Sequence, residues 1–208
     1  MKKLKIVLLA CLTVIALTMT ACQQTSQAQR TYEDVQTGIA FQYPSKIILA
    51  EEPGQILLQH GIPLVHPDPC DFKGDSPALT QLTDFRVTMK VYSFDLAGTV
   101  AATQHSSFLQ DYFPDNKFKL SEGYIREYTQ GSLQGHEVTQ GVEGCGYFLY
   151  YFPLEPNKTL VVKRSFITEL SPISSNKDEY MSLSGVIKPE EEIAIFEQIL
   201  RDFDYRKP

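Results

Sequence analysis

The run Tyr147-Phe148-Leu149-Tyr150-Tyr151-Phe152 narrows the possible folds more than any other stretch of this chain. Successive side chains of a strand point to opposite faces, so a run that is aromatic or aliphatic at every position is apolar on both. Such a strand is stable only inside a sheet that is covered on each side. Residues 147–152 are therefore expected to form a central strand.

The neighbouring patterns supply the rest of a sheet. Phe85, Val87, Met89 and Val91 alternate with Arg86, Thr88, Lys90 and Tyr92, which predicts a strand over 85–92 with one apolar face. Ile39, Phe41 and Tyr43 predict a half-buried strand over 38–43, stopped by Pro44. Further strands are expected at 55–59 after the Pro53-Gly54 turn, at 123–129 and 135–139 about a turn at Gly131, and at 159–167. Between 61 and 77, four prolines (63, 67, 69 and 77) predict a loop. Asn157-Lys158-Thr159 has the form of a glycosylation sequon and reads as the turn between two strands.

Two helices complete the layout. Residues 99–113 carry an imperfect stripe of Val100, Phe108, Leu109, Tyr112 and Phe113, ended by Pro114. Pro189 suits a first helical position, and Glu190, Glu191 and Glu192 oppose the positive end of the helix dipole. Ile193, Phe196, Ile199, Leu200 and Phe203 then form one apolar face at spacings of three and four, with Glu197 and Arg201 expected to pair on the outer face. Strands, a helix, more strands and a closing helix make an α+β domain on an antiparallel sheet. No internal repeat or second domain boundary is visible.

Ahead of this domain stands a leader. Lys2, Lys3 and Lys5 precede an uncharged stretch from Ile6 to Met19, shorter than the ~20 residues a spanning helix needs. Met19-Thr20-Ala21-Cys22 resembles the bacterial lipobox, with Met19 in place of the usual leucine. Leu8-Leu9-Ala10-Cys11 is a second such string, but cleavage there leaves too short an apolar run. The resemblance implies a signal peptide over 1–21, a lipid on Cys22, a flexible tether over 22–31 and a globular domain over 32–208. A diacylglyceryl cysteine meets the need for more than one acyl chain in stable anchoring. In the lipoprotein sorting rule, Asp after the cysteine marks inner-membrane retention, and Gln23 permits the outer membrane.

The leader takes three of the 19 basic residues and none of the 25 acidic ones, leaving 16 basic against 25 acidic, a formal charge of −9. An acidic body argues against nucleic acid and against adsorption to anionic lipid. Cys70 and Cys145 are the cysteines left after the lipid site. In an oxidising compartment a disulfide between them is the expected state, two unpaired thiols the alternative.

Gly38-Ile39-Ala40-Phe41-Gln42-Tyr43-Pro44 and Phe196-Glu197-Gln198-Ile199-Leu200-Arg201-Asp202-Phe203 resemble the opening strand and closing helix of PsbP-like domains, as found in many uncharacterised bacterial lipoproteins. Gly144-Cys145-Gly146 and Lys163-Arg164-Ser165-Phe166-Ile167 are similar to that group too. The resemblance implies an α/β/α sandwich on a mainly antiparallel sheet. PsbP itself is an accessory subunit of photosystem II, and no residue here matches a site for that role.

Several stretches have the residue types of a chemical site. His60, His66, Asp68, Cys70 and Asp71 bring metal-ligand side chains to one proline-stiffened loop, although their spacing fits no metal motif. Cys145 beside His136 or His105 has the composition of a nucleophile and base, without a visible orienting third group. Gly141-x-x-Gly144-x-Gly146 has the wrong order for a dinucleotide fingerprint and lacks a P-loop lysine. Tyr147, Phe148, Tyr150, Tyr151 and Phe152 have the makings of a glycan-stacking surface, but the expectation for such a run is buried sheet core. The expectation is a non-enzymatic binding or assembly module of the cell envelope, without catalytic residues, metal or cofactor. It is held to the cell membrane or outer membrane through Cys22, facing an unknown envelope protein or ligand. The alternative is an extracytoplasmic metal-binding protein or enzyme built around His66 and Cys70.

Overall fold

The computed structural model describes residues 28–142, 145–166 and 177–207. The expected signal peptide, Cys22, the first part of the expected tether, Gly144 and Ile167 lie outside the described residues. In chain order the strands are β1 (Gln29–Asp34), β2 (Ile39–Pro44), β3 (Ile48–Glu52), β4 (Gln55–His66) and β5 (Leu79–Tyr92). Helices α1 (Leu96–Thr103) and α2 (Ser106–Tyr112) come next. They are followed by β6 (Ile125–Gln130), β7 (Leu133–Val142), β8 (Cys145–Glu155) and β9 (Lys158–Ser165). Helices α3 (Lys177–Ser182) and α4 (Pro189–Arg201) and the short β10 (Asp204–Tyr205) close the chain. The pairings described are antiparallel: a large sheet ordered β3-β4-β5-β9-β8-β7-β6 and a small one ordered β1-β2-β10.

β8 lies inside the large sheet, and its aromatics divide between two cores as the alternation requires. On one face Tyr150, Val162, Met89 and Ile56 form a continuous cross-strand row. With Phe85, Val87, Phe152 and Leu160 they meet Ile195, Phe196, Ile199 and Leu200 of α4 and Ile39, Phe41 and Tyr43 of β2. On the other face Leu149, Tyr151, Val138 and Val161 meet Val100, Phe108 and Phe113 from the α1–α2 segment. A sheet filled on both faces has helices on each side, and α4 shares its side with the small sheet. Among the described residues, no helix is long and apolar enough to cross a membrane.

Several expectations need correcting. The loop expected from residue 61 begins only after His66, because β4 runs on through Pro63. Its pairing with β3 ends at Gln59, so β4 is an edge beyond that point and proline costs no ladder bond there; register shifts flank the segment. The single helix expected over 99–113 is two. Asp95 caps α1 by accepting from the Gly98 N–H at 2.7 Å, and His105 caps α2 by accepting from the Phe108 N–H at 3.2 Å. At the break Gln104 donates to the buried Tyr151 hydroxyl at 2.7 Å, which also meets the Thr103 hydroxyl at 2.9 Å. β1 takes Gln29 to Thr31, which the tether was expected to hold. In α4, Ile193 is 42% exposed, while Glu192 and Ile195 are buried at 3% and 5%. The expected Glu197–Arg201 pair is not among the ion pairs of the described residues.

Candidate binding cleft

On the face that carries α1 and α2, one cross-strand row reads Val138, Leu149, Lys163, Thr88 and Leu57 from β7 to β4. The apolar cluster under the helices includes Val138 and Leu149 and stops there. The row then turns polar at Lys163 and Thr88. Arg86, Thr88, Lys163, Ser165, Gln55 and Phe166 are among the side chains lining a cleft of about 380 Å³ at this point. That lies at the lower end of small-molecule sites, ~300–1,000 Å³.

Each cation owes its place to strand alternation. Arg86 and Thr88 are on the polar face of β5, and Lys163 is the direct partner of Thr88 on β9. The Lys163 ammonium sits 3.9 Å from the centre of the Tyr147 ring, a cation–π contact that fixes the head of a flexible side chain. Partial burial and then the Arg86 charge push its pKa down. Lys90 lies over Tyr92 at 4.7 Å on the same face. Among the described residues no carboxylate forms an ion pair with Arg86, Lys90 or Lys163. Asp84 borders the cleft, but its Oδ1 meets His60 Nδ1 at 2.6 Å and its Oδ2 accepts from the Ile187 N–H at 2.7 Å. Arg86 and Lys163 therefore stand here without an ion-pair partner among the described residues, on a chain of net charge −6.

The residues singled out as metal ligands are dispersed. His60 holds Asp84. His66 is buried, with Nδ1 2.9 Å from the Pro67 carbonyl and Nε2 3.2 Å from that of Gln81. Asp68 accepts from the Cys70 N–H at 2.8 Å, and Asp71 accepts from Lys73 and Ser76 N–H groups at 3.1 and 2.7 Å. Those backbone bonds, that from Ser76 foremost, hold the Asp71 carboxyl below its ordinary range. Among the described residues no three His, Cys, Asp or Glu side chains are placed to hold a metal ion.

The thiol and imidazole candidates are also apart. Cys70 and Cys145 have their sulfurs at bonding distance, 2.04 Å, with Cα atoms 5.7 Å apart, joining the loop after β4 to the start of β8. Cys145 pairs across strands with Val142, whereas His136 pairs with Tyr151 and lies against the Phe118 ring at 4.6 Å. His105 is occupied in capping α2. Of the glycine string, Gly141 and Gly146 face each other where β7 and β8 meet; a Cβ on Gly146 would lie 2.1 Å from the Gln140 carbonyl oxygen. Close strand approach accounts for Gly146. Tyr150, Tyr151 and Phe152 are core.

No protein-family model matches the sequence, and no curated protein does. Among solved structures, a crystal structure from Bacteroides thetaiotaomicron VPI-5482 is 10% identical with a TM-score of 0.44, over 86% of this chain and 48% of that one. The chain thus spans about half the length of that protein. Cyanobacterial PsbP (CyanoP) from Synechocystis sp. PCC 6803 is 12% identical with a TM-score of 0.36, over 89% of this chain and 98% of that one. A PsbP fold is thus among the structural neighbours at low identity. At these TM-scores neither likeness carries an argument about ancestry or activity.

Neither cation of the cleft was singled out from the sequence as a site residue. The available signal was the polar alternation in β5, with Arg86, Thr88 and Lys90 on one face, and Lys163 two residues after Val161 in β9. That β5 and β9 are neighbours is a non-local pairing, which the local pattern does not carry.

Proposed function

We propose that the chain is a lipid-anchored, extracytoplasmic lipoprotein with a PsbP-like domain, acting as a non-enzymatic binding or assembly module of the cell envelope. The observation that carries this reading is the Cys70–Cys145 pair at bonding distance, with a sequence separation of 75. A cross-link of that span forms and persists in oxidising compartments and is rare in the cytosol. The basic leader and the lipobox-like string ending at Cys22 point to the same side of the membrane. The terminal motifs behind the PsbP resemblance fall on β2 and α4, which pack together in one core. For binding rather than catalysis, the support is that His60, His66, His105 and Cys145 are engaged in structural contacts, while the cleft offers cations and hydroxyls.

Cell fractionation of the native host tests the reading. The wild type is expected in the membrane fraction, and Cys22→Ser in a soluble extracytoplasmic fraction, with Cys70 and Cys145 unreactive to a thiol label before reduction. A wild-type protein in the cytosol with both thiols free would overturn it.

A further inference from the structure

We propose that the cleft between β5 and β9 holds a phosphate group, with Arg86 and Lys163 as its charge partners. The inference rests on the reading of the chain as a binding module and adds the chemical class of its ligand.

Charge count selects the anion. A phosphomonoester carries about −1.5 to −2 at neutral pH and presents three acceptor oxygens. Two cations stand at the cleft without an ion-pair partner among the described residues; the Asp84 carboxylate at its border is held by His60 and the Ile187 N–H, so a ligand with two negative charges matches the two cations better than a single carboxylate does. The two differ usefully. Arg86 brings a planar fork suited to two oxygens, and Lys163 a point charge already oriented by the Tyr147 ring. Thr88 and Ser165 bring hydroxyls to the same cleft; Gln55 also lines it, but its Nε2 donates to Glu52. Thr88 and Ser165 have no side-chain hydrogen-bond partner among the described residues, so both remain available to a ligand oxygen.

Partial burial and then Arg86 both work against the charge of Lys163, while the Tyr147 ring favours it. A dianion between the two cations reverses the effect of Arg86. The sheet supplies rigidity: both cations are on strands interior to the seven-stranded sheet, so their separation is set by a hydrogen-bonded register and not by a loop.

The test uses the full chain in nonionic detergent. Inorganic phosphate is titrated by calorimetry and by thermal unfolding against sodium chloride of equal ionic strength. Short-chain phosphatidic acid below its micelle concentration forms a second arm, and p-nitrophenyl phosphate a third. Phosphate is expected to raise the melting temperature where chloride does not, and Arg86→Gln and Lys163→Met each to weaken binding about tenfold or more. Arg86→Gln is expected to melt no lower than wild type without phosphate, because it removes a like charge near Lys163 and no ion pair; its loss of binding is then not a loss of fold, whereas Lys163→Met also gives up the Tyr147 contact. Tighter binding of phosphatidic acid than of phosphate identifies a lipid headgroup, and the reverse a soluble phosphate; either supports the inference. Equal effects of phosphate and chloride, or variants that bind like wild type, overturn it and leave the membrane-module reading standing. Release of p-nitrophenol that both variants abolish keeps the phosphate site and overturns the non-enzymatic reading instead.

Discussion

Glu192 sits in the first turns of α4, 3% exposed, and its nearest cation is Arg164 at 3.7 Å. That separation is too long for a hydrogen bond, and both Glu192 Oε1 and Arg164 Nε are without a hydrogen-bond partner. Arg164 instead lies between aromatic rings, 4.6 Å from Phe148 and 5.0 Å from Phe196. Burial therefore outweighs the ion pair, and the Glu192 carboxyl is pushed up from 4.5 to about 7, with Arg164 opposing the rise. Below about 4.5 the folded and unfolded chains both hold this proton. Between about 4.5 and 7 only the folded chain holds it, so stability falls as pH rises through that window and levels off above it. A displacement of that size is worth about 3 kcal/mol. Glu192→Gln keeps the shape and never ionises. It should match wild type at pH 4 and exceed it by about 3 kcal/mol at pH 8, read from urea midpoints at the two pH values. A variant less stable than wild type at pH 8 would show the Arg164 attraction to be the larger effect and refute the reasoning.

Phe196 is fully buried, its ring 5.0 Å from that of Tyr150. Phe196→Ala should cost about 3–5 kcal/mol in denaturant unfolding, and a cost under about 1 kcal/mol would mean α4 does not pack as described. Removing the link between Cys70 and Cys145 by paired serine substitution should lower stability by up to about 4 kcal/mol in the chain-entropy model, measured by the same unfolding curves under non-reducing conditions. No difference between that variant and wild type would mean the two sulfurs are not joined.

Strand identity was the most legible property of the chain. The alternation over 85–92 and the doubly apolar run over 147–152 both correspond to strands with the expected faces, because a sheet filled on both sides leaves its imprint on local sequence. The errors arose where tertiary context decided. Pro63 argued for a loop, but an edge position tolerates it. Gln104 and His105 read as helix interior, although Tyr151, distant in sequence, supplies a hydroxyl that bonds Gln104 at the break as well as Thr103. The Glu190–Glu192 triplet looked like uniform compensation of the dipole. In the structure Glu191 pairs with Lys46, and Glu192 is taken into the core. The cleft was the least legible feature, since Arg86 and Lys163 become neighbours only through the β5–β9 pairing. In the stretch with the densest chemical composition, His66, Asp68 and Asp71 each bond to the local backbone.

The account depends most on Cys22 carrying a lipid. The direct measurement is metabolic labelling of the native host with radioactive palmitate, followed by isolation of the protein and its N-terminal peptide. Label on the wild-type peptide beginning at position 22, and none on Cys22→Ser, is the predicted result. An unlabelled wild-type protein, or equal labelling of both, would contradict it.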